Sequence, residues 1–117
     1  VADDLAQESR QYRNDVPSGI DPLEQLAQWW QDFDGCPLAM NPDKPRGQML
    51  IDMAKKYDAD AVVICMMRFC DPEEFDYPIY KVEFEKAGLR YTVVDVDLES
   101  PSLEQIRTRI QAFSEIL

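Results

Sequence analysis

The sequence predicts an α/β domain built on a small parallel sheet with helices on both faces, and three observations carry that expectation. Residues 61 to 67 form a run of seven apolar residues rich in Val and Ile, too short to span a membrane and typical of a parallel strand covered on both sides. A second strand-like run, RYTVVDVD at 90 to 97, follows after a helical stretch. The stretches around them repeat apolar residues at the 3, 4 and 7 spacing of helices, which link strands into a right-handed parallel sheet.

Taken in order, residues 1 to 4 read as the end of a strand, placing Asp3 and Asp4 at the carboxyl edge of the sheet as loop or capping acids. The stretch up to Ser18-Gly19 is polar and irregular, with Arg10 and Arg13 as its only cations. Asp21-Pro22 then reads as an N-cap with proline at the first helical position, opening a helix whose Leu23, Leu26, Ala27, Trp30 and Phe33 share one face, predicted to be buried. The loop DGCPLAMNPDKPRG holds three prolines and two glycines, which rule out a regular element there. A helix from 45 to 57 is predicted to turn Met49, Leu50, Met53, Ala54 and Tyr57 inward and to end on Lys55-Lys56, as the helix dipole favours.

After the apolar strand, Arg68 and Phe69 leave the sheet and Cys70 stands at its carboxyl end. Asp71-Pro72 repeats the cap-plus-proline start, with Glu73 and Glu74 in the first turn of a helix over 72 to 87. Gly88 fits its C′ position, and Pro78 removes a backbone donor in its middle, where a kink is expected. Ser100-Pro101 starts a last helix, with Leu103, Ile106, Ile110, Phe113 and Leu117 as a buried stripe. The whole, residues 1–117, is one domain of flavodoxin-like or Rossmann-like organisation. Its start at Val1 suggests a segment of a longer chain.

In open α/β sheets ligands bind outside the carboxyl ends of the strands, so Cys70 occupies the functional edge. A thiol delivered there to a helix N-terminus suits a metal ligand or reactive sulfur, and a buried structural cysteine equally well. Cys65, inside the apolar run, is expected to be packed under a helix. Cys36 lies beside Pro37 in the loop, and without a second cysteine two or three residues away its metal signal is weak. Three cysteines without framework spacing fit a reducing compartment.

Twelve basic against 23 acidic residues, a net charge of −11 spread along the chain, argue against nucleic acid or an anionic membrane as partner. With no apolar stretch of about 18 residues and no signal peptide, a cytoplasmic location is the expectation. The absence of histidine excludes Ser-His and Cys-His catalysis, and no Gly-rich phosphate loop follows a strand.

The pieces VADDL with SRQYR, DPLEQLA, CP with PDKPRG, AVVICMMRFCDPEEFDYP, AGLRYTVVDVD and QIRTRIQAFSEIL occur in this order over nearly the whole chain. Together they resemble the C-terminal domain of the family that unites 2-hydroxyacyl-CoA dehydratases (the D-component, or HGD-D, proteins) with the subunits of ATP-dependent benzoyl-CoA reductase. FCDP and RTRIQAF are the more specific blocks.

The resemblance implies a subunit carrying a 4Fe-4S cluster on three cysteines. Cys70 would be one ligand, the other two would lie outside this segment, and the segment alone would hold no cluster. Cluster iron takes thiolate sulfur, which a helix N-terminus favours. The resemblance further implies a homologous sister subunit in a heterodimer, an ATP-dependent iron-sulfur activator protein that supplies electrons, and an acyl-CoA substrate. Ala6, where many dehydratases have cysteine, and Gln111, where they often have an acid, lean towards the reductase branch. The alternative is a non-catalytic flavodoxin-like module that binds a partner or ligand, since fold alone does not fix function.

Overall fold

Two parallel strands make the sheet: β1 (Val62–Met67) and β2 (Tyr91–Val96), in register from Val62 opposite Tyr91 to Met67 opposite Val96. They belong to a computed structural model that describes residues 2–6, 8–19, 21–33, 35–38, 41–97 and 103–117. Four α-helices accompany them among the described residues, α1 (Pro22–Gln31), α2 (Arg46–Lys56), α3 (Asp71–Ala87) and α4 (Leu103–Ser114), after a short 3-10 turn at Ser9–Tyr12. The chain is thus an α/β fold, as the sequence predicts, with α3 as the crossover between the parallel strands.

The core lies between one sheet face and the α2–α3 pair. Ile64 and Met66 of β1 pack there with Leu50 and Ile51 of α2 and Tyr80 and Phe84 of α3. Aromatic rings continue this layer, Tyr80 to Phe84 at 5.5 Å and Phe84 to Tyr91 at 5.7 Å between centroids. α4 lies against β2, where Val94 is buried on the opposite sheet face beside Ile106.

Several sequence expectations are corrected. β1 is covered on one face only: its burial alternates, and Val63 and Cys65 are exposed. A seven-residue apolar run looks the same whether one face is covered or two, and here α4 lies over β2 rather than β1. Residues 2–6 form no strand. Asp3 instead closes a local turn, accepting the Leu5 amide at 3.2 Å and the Ser9 hydroxyl at 2.6 Å, the competition with extended pairing that aspartate is prone to. Those donors, the Ser9 hydroxyl first, hold the Asp3 carboxyl below its ordinary value of 3.8.

The α1 stripe is open as well. Leu23, Leu26 and Trp30 are exposed, and of the face predicted to be buried only Phe33, just beyond the helix, is enclosed. On α2 the buried members of the predicted face are Leu50 and Ala54, joined by Ile51, with Met49 and Met53 partly buried and Tyr57 exposed; Arg46 and Gly47 at its start are buried as well. On α4 only Ile106 and Phe113 of the predicted stripe are partly covered. Its predicted start at Ser100-Pro101 lies outside the described residues.

Capping follows the sequence more closely. Asp21 accepts the Leu23 amide at 2.9 Å as the N-cap of α1. Gly88 ends α3 in the left-handed region at φ 67°, its amide and that of Leu89 returning to Glu85 and Phe84. α3 runs without a break from Asp71 to Ala87, through Pro78.

Gly47 allows α2 and α3 to approach. A Cβ there would lie 1.6 Å from Glu83 Oε2 and 2.8 Å from Tyr80 Cβ. Gly47→Ala is therefore expected to lower the urea unfolding midpoint, by the equivalent of about 1 to 3 kcal/mol. An unchanged midpoint would mean the two helices can separate freely.

Candidate functional site

Cys70 stands where β1 has ended and α3 begins. Asp71 is already helical, so Cys70 itself, rather than Asp71, is the N-cap. Its carbonyl accepts the amides of Glu73 and Glu74, both at 3.0 Å, and its own amide reaches back to the Met67 carbonyl at 3.1 Å. The thiol is free, half-buried and makes no capping bond. Phe69, just before it, has φ 65° and is 92 % exposed.

The other two thiols are differently placed. Cys36 is half-buried and Cys65, expected under a helix, is exposed on the uncovered face of β1. Among the described residues no three histidine, cysteine or acidic side chains are grouped closely enough to hold a metal ion. A free thiol at Cys70 is chemically able to serve as one soft ligand to iron.

Beside this turn lies an ionic cluster. The Asp4 carboxylate meets Arg10 at 3.1 Å, Arg13 at 2.9 Å and Arg46 at 2.9 Å. Arg46 also bonds the Gly35 carbonyl at 2.8 Å and Glu73 at 3.2 Å, and Glu73 accepts the Tyr80 hydroxyl at 3.0 Å. Asp4, Arg10 and Arg46 are at least nine-tenths buried at their side chains. Lys44 adds a bridge from the preceding loop to Asp76 of α3 at 2.7 Å.

The sequence placed Asp3 and Asp4 at the edge that carries Cys70. The structure brings Asp4 there through Arg46 and Glu73, whereas Asp3 remains on an exposed local turn. Arg46, Glu73 and Tyr80 as a linked set were not expected. One signal was available: an arginine as the first residue of a helix opposes the helix dipole and needs an anionic partner.

Burial first, and then the charge and hydrogen bond of Glu73, raise the Tyr80 hydroxyl well above its ordinary value of 10.0. Folding therefore favours its neutral form. That stability is fully present below about pH 10 and is lost as pH rises towards the folded value. In Tyr80→Phe the alkaline decline in unfolding midpoint should be shallower than in the parent chain; some slope remains from Tyr91, which burial above all pushes up to about 12. An unchanged decline would show that Tyr80 does not contribute to it.

A second feature of the carboxyl edge is a cleft of about 240 Å³ between β2 and α4. Its charges pair off, Arg68 with Asp97 at 3.6 Å and Arg109 with Asp95 at 3.7 Å. These exposed, long pairs contribute little to stability.

A family model described as 2-hydroxyglutaryl-CoA dehydratase, D-component, matches residues 1–117. The chain belongs to that family. It is 52 % identical, over its whole length and 32 % of the relative, to lactoyl-CoA dehydratase subunit beta of Anaerotignum propionicum. It is 44 % identical, again over its whole length and 31 % of the relative, to the (R)-phenyllactyl-CoA dehydratase beta subunit of Clostridium sporogenes. To the beta subunit of (R)-2-hydroxyglutaryl-CoA dehydratase of Acidaminococcus fermentans the identity is 31 %, over the whole chain and 32 % of the relative. The chain thus spans about a third of the length of the curated relatives it matches. These three D-component relatives are dehydratase subunits, the branch away from which Ala6 and Gln111 lean. No described helix is long and apolar enough to cross a membrane.

Proposed function

We propose that this chain is part of the beta subunit of a 2-hydroxyacyl-CoA dehydratase, and that Cys70 supplies one of three thiolates to a 4Fe-4S cluster in the whole subunit. The observation that carries the reading is the 52 % identity to a dehydratase beta subunit across the entire chain. The free sulfur at the N-cap of α3 supports the role given to Cys70. When bound, such a cluster supplies electron transfer at low potential. The chain's own part is to hold the sulfur at the end of β1, to wall one side of the site and to keep the first turn of α3 fixed. A sister alpha subunit, an ATP-dependent iron-sulfur activator and a cytoplasmic setting complete the reading.

The test is anaerobic purification of the whole subunit with its sister subunit, followed by ATP, activator, a low-potential reductant such as dithionite and, in separate reactions, a 2-hydroxyacyl-CoA or an aromatic acyl-CoA. Formation of the enoyl-CoA with loss of water is the expected product; reduction of an aromatic acyl-CoA in its place would move the chain to the reductase branch. The segment of residues 1–117 alone, offered iron and sulfide anaerobically and desalted, should retain no cluster absorbance. Stoichiometric iron on that segment would show that the ligand set is complete within it.

A further inference from the structure

Arg46 is the residue that joins Asp4 to Glu73 in the ionic cluster near the Cys70 turn. One guanidinium nitrogen serves Asp4 and the Gly35 carbonyl, and the other reaches Glu73. Glu73 lies in the first turn of α3, and its amide donates to the Cys70 carbonyl at 3.0 Å. The turn receives little help from its own packing, because Phe69 is exposed and held in the left-handed backbone region that a bulky residue seldom adopts. Besides the backbone bonds of Arg68 to Val96, of Cys70 to Met67 and of Glu73 and Glu74 to the Cys70 carbonyl, it is restrained by the Glu73 carboxylate, clamped between Arg46 and Tyr80.

We propose that Arg46 is a positioning residue for Cys70: by clamping Glu73 it fixes the first turn of α3, and so the direction in which the Cys70 sulfur is presented to iron. The inference rests on the reading of Cys70 as a cluster ligand. Groups that orient a ligand from behind change metal affinity about 10- to 100-fold when removed. Arginine suits the task because its planar fork serves two anions at once, which a lysine ammonium cannot reproduce from one point.

The test uses the whole subunit with its sister subunit, purified anaerobically, in three variants. Arg46→Lys keeps the charge and loses the fork; Glu73→Gln keeps the shape and loses the charge. Ile51→Val, on the same helix and buried in the core, lowers stability without touching the clamp. Iron loss to a chelator, the electron paramagnetic resonance spectrum of the reduced cluster and the thermal midpoint are measured for each.

Arg46→Lys and Glu73→Gln should lose iron about tenfold faster and shift the spectrum, while Ile51→Val keeps the parent spectrum and rate. If Arg46→Lys does not fold, Glu73→Gln against Ile51→Val decides. Clamp variants that match Ile51→Val in iron loss and spectrum would overturn the proposal. Full iron in Cys70→Ser would instead overturn the underlying reading of the ligand, whatever the clamp variants do.

Discussion

Cys70→Ser in the whole subunit should leave folding almost untouched and remove most of the cluster iron. Cys70 is the N-cap of α3, yet its side chain makes no capping bond. Serine is among the preferred N-cap residues because its hydroxyl accepts an amide of the first turn. The substitution therefore costs under about 1 kcal/mol and is as able to stabilise α3 as to weaken it. Iron responds otherwise, since a hard, protonated hydroxyl replaces a soft thiolate. Dehydration of the acyl-CoA should fall with the iron.

Cys65→Ser is the comparison. A packed Cys65 would have made a buried serine costly, on the order of 1 to 3 kcal/mol. Cys65 is exposed in this chain, so the expected cost is within about 0.5 kcal/mol, with iron unchanged. Iron content, visible spectrum and unfolding midpoint of the two variants, measured side by side, decide the matter. Full iron and activity in Cys70→Ser would end the ligand assignment and favour a module without redox chemistry.

The elements legible in the sequence were those fixed by local chemistry. β1 and β2 came from apolar β-branched runs, the end of α3 from Gly88 and the start of α1 from Asp21-Pro22, and all lie where expected. Burial was less legible, because an apolar stripe states what a face prefers and not what covers it. Leu23, Leu26 and Trp30 have the spacing of a buried face and are exposed, as is Cys65 within an apolar strand. The place of Cys70 between β1 and α3 was legible because a strand end and a helix start are both local signals. Arg46, Glu73 and Asp4 were not visible as a set: they are separated by tens of residues, and charged residues far apart in sequence carry no mark of their partners.

Removing the centre of that set should have the largest effect on stability. Asp4 is a single carboxylate facing three guanidinium groups, and its side chain is 7 % exposed, with those of Arg10 and Arg46 at 10 %. Nε of Arg10 and of Arg46 are buried with no hydrogen-bond partner among the described residues, so these arginines are already incompletely served. Asp4→Ala leaves them with Glu73 as the remaining carboxylate of the cluster and uncompensated positive charge away from water. Breaking a buried pair in this way costs about 3 to 5 kcal/mol, a large share of the stability of a domain this size. A fall of that size in the urea unfolding free energy is the expected measurement. The penalty belongs to stranded charge rather than to a lost contact, so replacing Asp4 by Leu together with Arg10 by Met should recover part of it. Asp4→Ala within about 0.5 kcal/mol of the parent chain would mean that the arginines relax into water, and that the cluster does not tie residues 2–6 to α2 and α3.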